Sequence, residues 1–366
     1  MKVFGKYFAH RAKGTLPRFF IIATLILIYL VPQLLNMPAF FGTDSWYVYK
    51  NLGRDMADRF NSITTIKCIL CTVIPILEFS GFHNRKNADT MLSLPISRAK
   101  LALVHYLNGA WQLVAIWSAC IFTYAAVVYQ HGEKCYEVTG YFLYGDMKMF
   151  IPYYFTAVLC ALLVYSFFVL VFNFANNVAD GVVFVLAYIL AVWVLAVGFG
   201  DLFHVDIPFL SDLIPYSLIL NVDDWFFAGL MNDNFMLKTV FKNGWMLERM
   251  IIPAVIALVG ILVFLGCFIL LFTYKKAEKL EGISSFALGY ASLIPVYGMS
   301  ISAICFVNGA DVQNIAFVVI PMVVAYMIYR RSFKLKVSDV VMIVLTIALM
   351  FAADAISTFF GTVKIC

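Results

Sequence analysis

The chain has 366 residues, of which 63% are hydrophobic and 13% are charged, and its formal net charge is +5. An ordinary soluble domain is about 45–50% apolar and about 25% charged, so this chain carries about half the charge that a water-facing surface needs. The composition excludes a soluble enzyme, a disordered tail and a small secreted disulfide-stabilised domain, and it predicts a membrane protein.

Nine apolar stretches are long enough to cross a bilayer as helices, because a hydrocarbon core of ~30 Å takes about 20 helical residues. The stretches are too long for barrel strands and lack the alternation of such strands. The sequence therefore predicts an all-α, polytopic membrane helical bundle with eight or nine spans, the eighth being the weakest. In chain order, the predicted spans are residues 15–37, 62–82, 101–129, 150–173, 180–199, 250–273, 285–307, 314–330 and 337–360.

The distribution of basic residues predicts a cytoplasmic N-terminus. A basic stretch at residues 2–18 leads into the first span, but no small-x-small cleavage site follows this span, so we expect it to be retained. With the N-terminus inside, Lys and Arg are concentrated in the segments that this topology leaves inside. The net positive charge is then a signal of topology, and no nucleic-acid partner is needed to explain it.

Residues 83–100 connect the second and third predicted spans on the cytoplasmic side, and their pattern is typical of a short amphipathic helix. Asp89 or Thr90 is suited to cap this helix, and Pro95 ends it because the residue before proline avoids helical geometry. The apolar side of the helix is formed by Met91, Leu92 and Leu94. Such a segment offers apolar and basic side chains to a cytoplasmic partner, although a basic amphipathic helix can equally lie on lipid headgroups.

Residues 92–98, Leu-Ser-Leu-Pro-Ile-Ser-Arg, followed by Lys100, resemble a segment of the permease subunits of ABC exporters of the second exporter class. In those subunits the segment reads Leu-Leu-Ser-Leu-Pro-Ile-Ser-Arg. The longer pattern, which begins at Asp89 and includes Tyr106 and Gly109, is similar to a subgroup from Gram-positive bacteria. Members of that subgroup accompany cell-envelope and peptide-antibiotic stress responses.

A second, looser resemblance lies at residues 274–282, Tyr-Lys-Lys-Ala-Glu-Lys-Leu-Glu-Gly, which are similar to the basic-then-Glu segment that closes the sixth span in that family. The resemblance covers residues 1–282, which it implies to be a six-span permease core. Residues 283–366 then hold additional C-terminal spans beyond the common pattern.

The resemblance implies that residues 83–100 contain a coupling helix, which docks in a groove of a soluble ABC ATPase subunit. It implies a separate motor that binds ATP and Mg, and this chain itself contains no Gly-x-x-x-x-Gly-Lys-Ser/Thr phosphate loop. It also implies a second permease copy, identical or different, and export of a hydrophobic or amphiphilic substrate such as a peptide antibiotic, lipid or envelope component across a bacterial plasma membrane. The implied docking residues are Asp89, Met91, Leu92, Leu94, Pro95 and Arg98.

Residues 200–249 are expected outside the membrane and are unusually apolar for a loop. In the resembling family, a re-entrant hairpin before the last core span forms the outer gate, which implies gate residues at Pro215, Trp225 and Phe226. The alternative is a surface helix that Trp225 and Phe226 anchor at the level of the lipid headgroups.

Ionisable residues inside predicted spans are candidates for function, because burying a charge costs several kcal/mol unless it has a partner. The sequence places Lys67, Glu78, Asp180 and Asp354 in this class. Glu78 and Asp180 lie near cytoplasmic span ends, which favours a structural role. Lys67 either extends its ammonium towards the outer surface or pairs with a carboxylate across the bundle.

Cysteine and histidine form no ligand pattern that predicts a metal site. The five His are scattered along the chain, and Cys68 and Cys71 lie within a span with no second pair nearby. We therefore expect these cysteines to pack as small apolar side chains.

Two other classes of function stay open at the level of sequence. One is an intramembrane enzyme that acts on lipid-linked substrates, which would need several acidic or His residues near one membrane face. The other is an ion-coupled secondary transporter, which would show an internal repeat with broken helices at matching positions.

Overall fold

The computed structural model describes residues 2–35, 64–139, 147–203, 216, 218–219, 222–223, 245–275, 281–282, 284, 286, 288–306, 312–330 and 332–363. These residues form ten helices and no strand, which confirms the prediction of an all-α bundle. The helices are α1 (Lys2–Leu35), α2 (64–79), α3 (Arg85–Leu92), α4 (Arg98–Thr139), α5 (Met147–Asn173), α6 (Val178–Phe203), α7 (Trp245–Tyr274), α8 (Tyr290–Phe306), α9 (Val312–Arg330) and α10 (Val337–Val363). A 3₁₀ turn, Ser80–His83, extends α2.

Five of the described helical segments are long and apolar enough to cross a membrane. Their outward surfaces are apolar: Leu262 on α7 is 64% exposed and Phe155 on α5 is 60% exposed. Apolar side chains at such positions are suited to lipid and not to water. The chain is therefore a multi-pass membrane protein. The five segments are Phe4–Tyr29, Thr64–His83, Phe150–Asn173, Met250–Tyr274 and Gln313–Arg330.

Several helices are longer than the spans that the sequence predicts. The third span was expected at residues 101–129, but α4 has 42 residues and continues to Thr139. At a rise of 1.5 Å per residue, α4 is about 63 Å long, which is twice the thickness of a hydrocarbon core. Hydropathy marks where a helix lies in lipid, whereas the backbone hydrogen bonds continue for as long as no residue interrupts them.

The helices form two compact units. The prediction that residues 1–282 form a permease core concerns function and stays a prediction. The first unit consists of Met1–Gly81, Thr90–Leu170 and Pro215–Lys275, and the second consists of Phe82–Asp89, Val171–Ile214 and Lys276–Cys366.

In the first unit, α4 lies against both α1 and α7. The core of this unit includes Trp117 on α4 and Tyr165 on α5, which are fully buried. The Tyr165 hydroxyl donates a hydrogen bond to the carbonyl of Tyr106 over 3.0 Å and lies directly over Gly109. A side chain at Gly109 would occupy the same space as this hydroxyl, so the glycine allows α4 and α5 to meet here.

In the second unit, α8 packs against α6, α9 and α10. Gly298 on α8 lies under the side chain of Met322 on α9, where a Cβ atom would collide with the sulfur. Helices that meet at small residues are common in membranes, because close approach increases the van der Waals contact that holds them together. The buried core of this unit contains Ile294, Val318, Met322, Tyr326, Ile343 and Met350.

Candidate functional site

The helix predicted between the second and third spans is present as α3, but it begins earlier than expected. Asn84 caps it: the Lys86 amide donates to Asn84 Oδ1 over 3.1 Å, and the Ala88 amide donates to the Asn84 carbonyl over 2.9 Å. The prediction that Asp89 or Thr90 is the cap is therefore wrong, since both lie inside the helix. Asparagine is among the strongest N-cap residues, and here it follows directly on the turn at Ser80–His83.

The six predicted docking residues lie within and directly after α3. The helix ends at Leu92, before Pro95, and the chain then turns into α4 at Arg98. Ala88 is the buried residue of α3. Side chains at Asp89, Pro95 and Arg98 are exposed, and those at Met91, Leu92 and Leu94 are partly buried.

Arg98 binds the C-terminal end of α7. Its Nη1 donates to the carbonyl oxygens of Thr273, over 3.4 Å, and Lys275, over 3.0 Å. The last carbonyls of a helix lack intrahelical partners and carry partial negative charge, so a guanidinium is well suited to this position. Within the first unit, these two hydrogen bonds fix the start of α4 to the end of α7. The neighbouring Lys275 is partly shielded from solvent, and this burial lowers the pKa of its ammonium to about 8.

Glu281 stabilises the opposite end of α3, and the sequence did not point to this role. Its Oε1 accepts a hydrogen bond from the backbone amide of Arg85 over 3.0 Å, at the first turn of α3. A carboxylate there satisfies a free helical N–H and complements the helix dipole. The backbone amide of Glu281 donates to the carbonyl of Asn176 over 3.0 Å, and the residue has a φ of 66°. Glu281 belongs to residues 274–282, the segment with the looser resemblance.

Asp180 connects the start of α6 to the chain before α8. Its Oδ2 accepts from the side-chain amide of Asn177 over 3.0 Å and from the backbone amide of Ser284 over 3.2 Å. Its Oδ1 accepts from the hydroxyl of Tyr290 over 2.9 Å. Each carboxylate oxygen thus has a donor, an arrangement typical of a structural carboxylate.

Glu78, at the end of α2, is surrounded by cationic and polar side chains from α1 and α4. Its side chain is fully buried, and it binds Arg18 Nη2 over 2.6 Å, Arg11 Nε over 3.2 Å and His105 Nδ1 over 3.0 Å. Arg18 also donates to Gln112 Oε1 over 3.2 Å. This cluster contains two guanidiniums for one carboxylate. It explains two of the basic residues that precede the first span, which the sequence identified only as topology signals.

Lys67, near the other end of α2, forms a fully buried ion pair. Its Nζ lies 3.1 Å from Asp223 Oδ2, and neither side chain has any exposed surface. The hydroxyl of Thr64 donates to the same oxygen over 2.5 Å, and the hydroxyl of Tyr153 donates to Asp223 Oδ1 over 2.7 Å. Of the two alternatives for Lys67, the structure shows pairing across the bundle.

Trp117 on α4 completes this cluster. The Lys67 ammonium lies 4.6 Å from the centre of its ring, which is a favourable cation–π distance. Trp117 is fully buried, and its Nε1 has no hydrogen-bond acceptor among the residues that the structure describes. The sequence missed Asp223 because it lies in the segment expected to cover the outer surface; an acidic pair at Asp223 and Asp224 within an apolar stretch was the available signal.

Of the other residues singled out in the sequence, the gate candidates and Asp354 have no described side chain, whereas Cys71 does. Pro215, Trp225 and Phe226 lie outside the described residues, as does the side chain of Asp354. The Cys71 thiol is buried and lies 3.6 Å from the carbonyl of Ala161. Within the described part of the chain, no three His, Cys, Asp or Glu side chains are close enough to hold a metal ion.

Comparisons of the chain with family models, with curated proteins and with solved structures find no match.

Proposed function

We propose that this chain is the transmembrane permease subunit of an ATP-driven ABC exporter. Its substrate is hydrophobic or amphiphilic, such as a peptide antibiotic, a lipid or an envelope component, and the membrane is a bacterial plasma membrane. The observation that carries the proposal is a short helix, α3, in the connection that the sequence predicts to be cytoplasmic; its first turn is bound by Glu281, and Arg98, just after it, binds the end of α7.

The anchoring of α3 supports a role in transmitting force. Glu281 binds its first turn, and Arg98, just after it, binds the end of α7. A flexible Gly- or Ser-rich loop would absorb a displacement, whereas a short helix with fixed ends transmits it to the helices attached to it. The helix that follows is α4, which is about 63 Å long at 1.5 Å per residue and so is longer than a hydrocarbon core is thick.

The exposed side chains of α3 and of the turn after it support the proposal that a protein partner binds there. Asp89 and Pro95 are exposed, and Leu92 and Leu94 are partly exposed beside them. Apolar side chains that stay partly exposed beside polar and charged groups are suited to contact a protein partner. ATP hydrolysis then takes place on the partner, and a second permease copy completes the translocation path.

Affinity purification of the full chain from its own membranes in mild detergent tests the proposal. We expect a soluble ATPase to co-purify, and we expect Leu92→Asp to reduce its recovery at least tenfold because a carboxylate would replace an apolar contact. Phe333→Asp is the matched control: Phe333 is 89% exposed and lies between α9 and α10, away from α3 in the sequence.

Arg98→Ala distinguishes binding of the ATPase from transmission of force to the helices that follow α3. If Arg98 acts mainly on α7, this variant retains the ATPase but loses most of the substrate-stimulated hydrolysis. If Arg98 itself docks, recovery of the ATPase falls as it does in Leu92→Asp. Normal recovery and normal hydrolysis in both variants would contradict the proposed function.

A further inference from the structure

Residues 332–337, which we call the α9–α10 turn, expose two large apolar side chains. Phe333 is 89% exposed, and Val337, the first residue of α10, is 81% exposed. Among the described residues, no other large apolar side chain is as exposed as these two. Lys334 and Lys336, which lie between them, are exposed as well. Exposed apolar side chains that are grouped in this way mark a surface that binds a partner.

Hydrogen bonds hold the α9–α10 turn in one shape. The guanidinium of Arg330, the last residue of α9, donates to both oxygens of Asp339 on α10, from Nε over 3.0 Å and from Nη2 over 2.7 Å. Asp339 Oδ2 also accepts from the backbone amide of Lys336 over 3.1 Å. The backbone amide of Lys334 donates to the hydroxyl of Ser332 over 3.1 Å. The exposed side chains are therefore presented by a short turn whose two ends are bound to each other.

The length of α9 places this turn at the level of the lipid headgroups. Its apolar segment, Gln313–Arg330, has 18 residues, which at 1.5 Å per residue is about 27 Å and close to the ~30 Å of a hydrocarbon core. Phe333 lies three residues beyond the end of this segment. Ile328, two residues before that end, is 72% exposed, which suits a position in lipid. The turn thus directly follows a lipid-facing helix.

The charge of this region favours an anionic surface. Residues 330–339 contain four Lys or Arg and one Asp, and that Asp is paired with Arg330. Lysines at the membrane surface are attracted to anionic headgroups, and apolar side chains beside them enter the boundary between headgroups and acyl chains. Lipid is the partner that is always present where two membrane helices end.

We propose that the α9–α10 turn is a binding site for anionic phospholipid. Phe333 and Val337 insert beside the acyl chains, and Lys334 and Lys336 pair with the negatively charged headgroups. The basic residues alone predict only the orientation of the chain, whereas this inference adds a preference among the lipids that surround it. The inference goes beyond the proposed function and does not depend on it, because no ATPase or substrate is involved.

Quenching by brominated phospholipids tests the inference on the full chain in phosphatidylcholine vesicles. Phe333→Trp places a reporter in the turn, and subtracting the emission of the unaltered chain removes the contribution of the six native tryptophans. At equal mole fraction, dibrominated phosphatidylglycerol should quench the added emission at least threefold more than dibrominated phosphatidylcholine. Lys334→Gln together with Lys336→Gln should remove this preference. Molar salt should also remove it, because salt screens attraction between exposed charges.

The matched control is Lys6→Gln together with Lys13→Gln, which removes the same charge from exposed positions on α1 and should leave the preference unchanged. Equal quenching by the two brominated lipids would overturn the preference for anionic lipid, and quenching by neither would show that the turn does not enter the bilayer. A preference that survives Lys334→Gln with Lys336→Gln would overturn the role of these lysines, as would its equal loss in the control. Co-purification of an ATPase tests the proposed function separately.

Discussion

Two buried charges on α2 have different kinds of partner. Lys67 pairs with the carboxylate of Asp223, whereas Glu78 pairs with the guanidiniums of Arg11 and Arg18 and with the imidazole of His105. The two residues are roughly three turns apart, or about 17 Å along the helix axis. A buried ion pair contributes little net stability compared with an apolar pair, but removal of one partner leaves an isolated buried charge. Each cluster is therefore sensitive to the loss of a single side chain.

For Glu78, this sensitivity predicts a large loss of stability. Glu78→Ala should lower the free energy of unfolding by about 1–3 kcal/mol, because Arg11 and Arg18, each about a quarter exposed, lose their shared carboxylate. Glu78→Gln keeps the hydrogen-bond acceptor but not the charge, so its effect should be smaller. Thermal unfolding in detergent, followed by tryptophan fluorescence, measures both.

Asp89→Ala is the control for this series, since Asp89 is an exposed carboxylate on α3. We expect its melting temperature to stay close to that of the unaltered chain. Equal melting temperatures for Glu78→Ala and Asp89→Ala would show that the Glu78 cluster does not stabilise the fold.

Among the helices of the first unit, α4 contributes to each of the contacts described above. It begins where Arg98 binds the end of α7, it carries His105 to the Glu78 cluster, and it places Trp117 beside Lys67. Its contact with α5 depends on Gly109, above which lies the Tyr165 hydroxyl. Tyr106, one turn earlier, hydrogen-bonds Ser166 over 2.7 Å. The aromatic and glycine residues that extend the sequence pattern beyond Arg98 thus serve helix packing here.

The close approach at Gly109 predicts a steric coupling between α4 and α5. Gly109→Ala should destabilise the chain by about 1–3 kcal/mol, because a methyl group would overlap the Tyr165 hydroxyl. Tyr165→Phe in the same chain should recover part of this loss, since it removes the nearest atom. A double-mutant cycle on unfolding free energies measures the coupling, which we expect to be about 0.5–3 kcal/mol. Strictly additive effects would contradict the contact.

At the scale of the whole molecule, segments predicted to share the cytoplasmic side contact one another. In the first unit, Arg98 binds the carbonyl of Lys275. In the second unit, Glu281 binds Arg85 and also the carbonyl of Asn176. Within each unit, these contacts join segments that the sequence predicts on the same side of the membrane, and the orientation itself stays a prediction.

The sequence alone predicted the helices and their membrane character, because both depend on long apolar runs that are visible along the chain. It did not predict the partners of Lys67 or Glu78, since these pairs join residues that are distant in sequence and only the packing of helices brings them together. Asp223 was missed because it lies in a segment that was expected to cover the outer surface. The start of α3 was misplaced because two suitable capping residues follow Asn84, and pattern alone does not choose among them.

Side-specific labelling of a single cysteine at Ser93 tests the central claim most directly, because the claim requires α3 and the turn after it to face the cytoplasm. Ser93 is exposed, and Ser93→Cys in a background without the eight native cysteines provides one reactive thiol. A membrane-impermeant maleimide should label this thiol in inside-out vesicles and leave it unlabelled on intact cells. Labelling on intact cells, or no labelling in either orientation, would contradict a cytoplasmic helix that receives force from an ATPase.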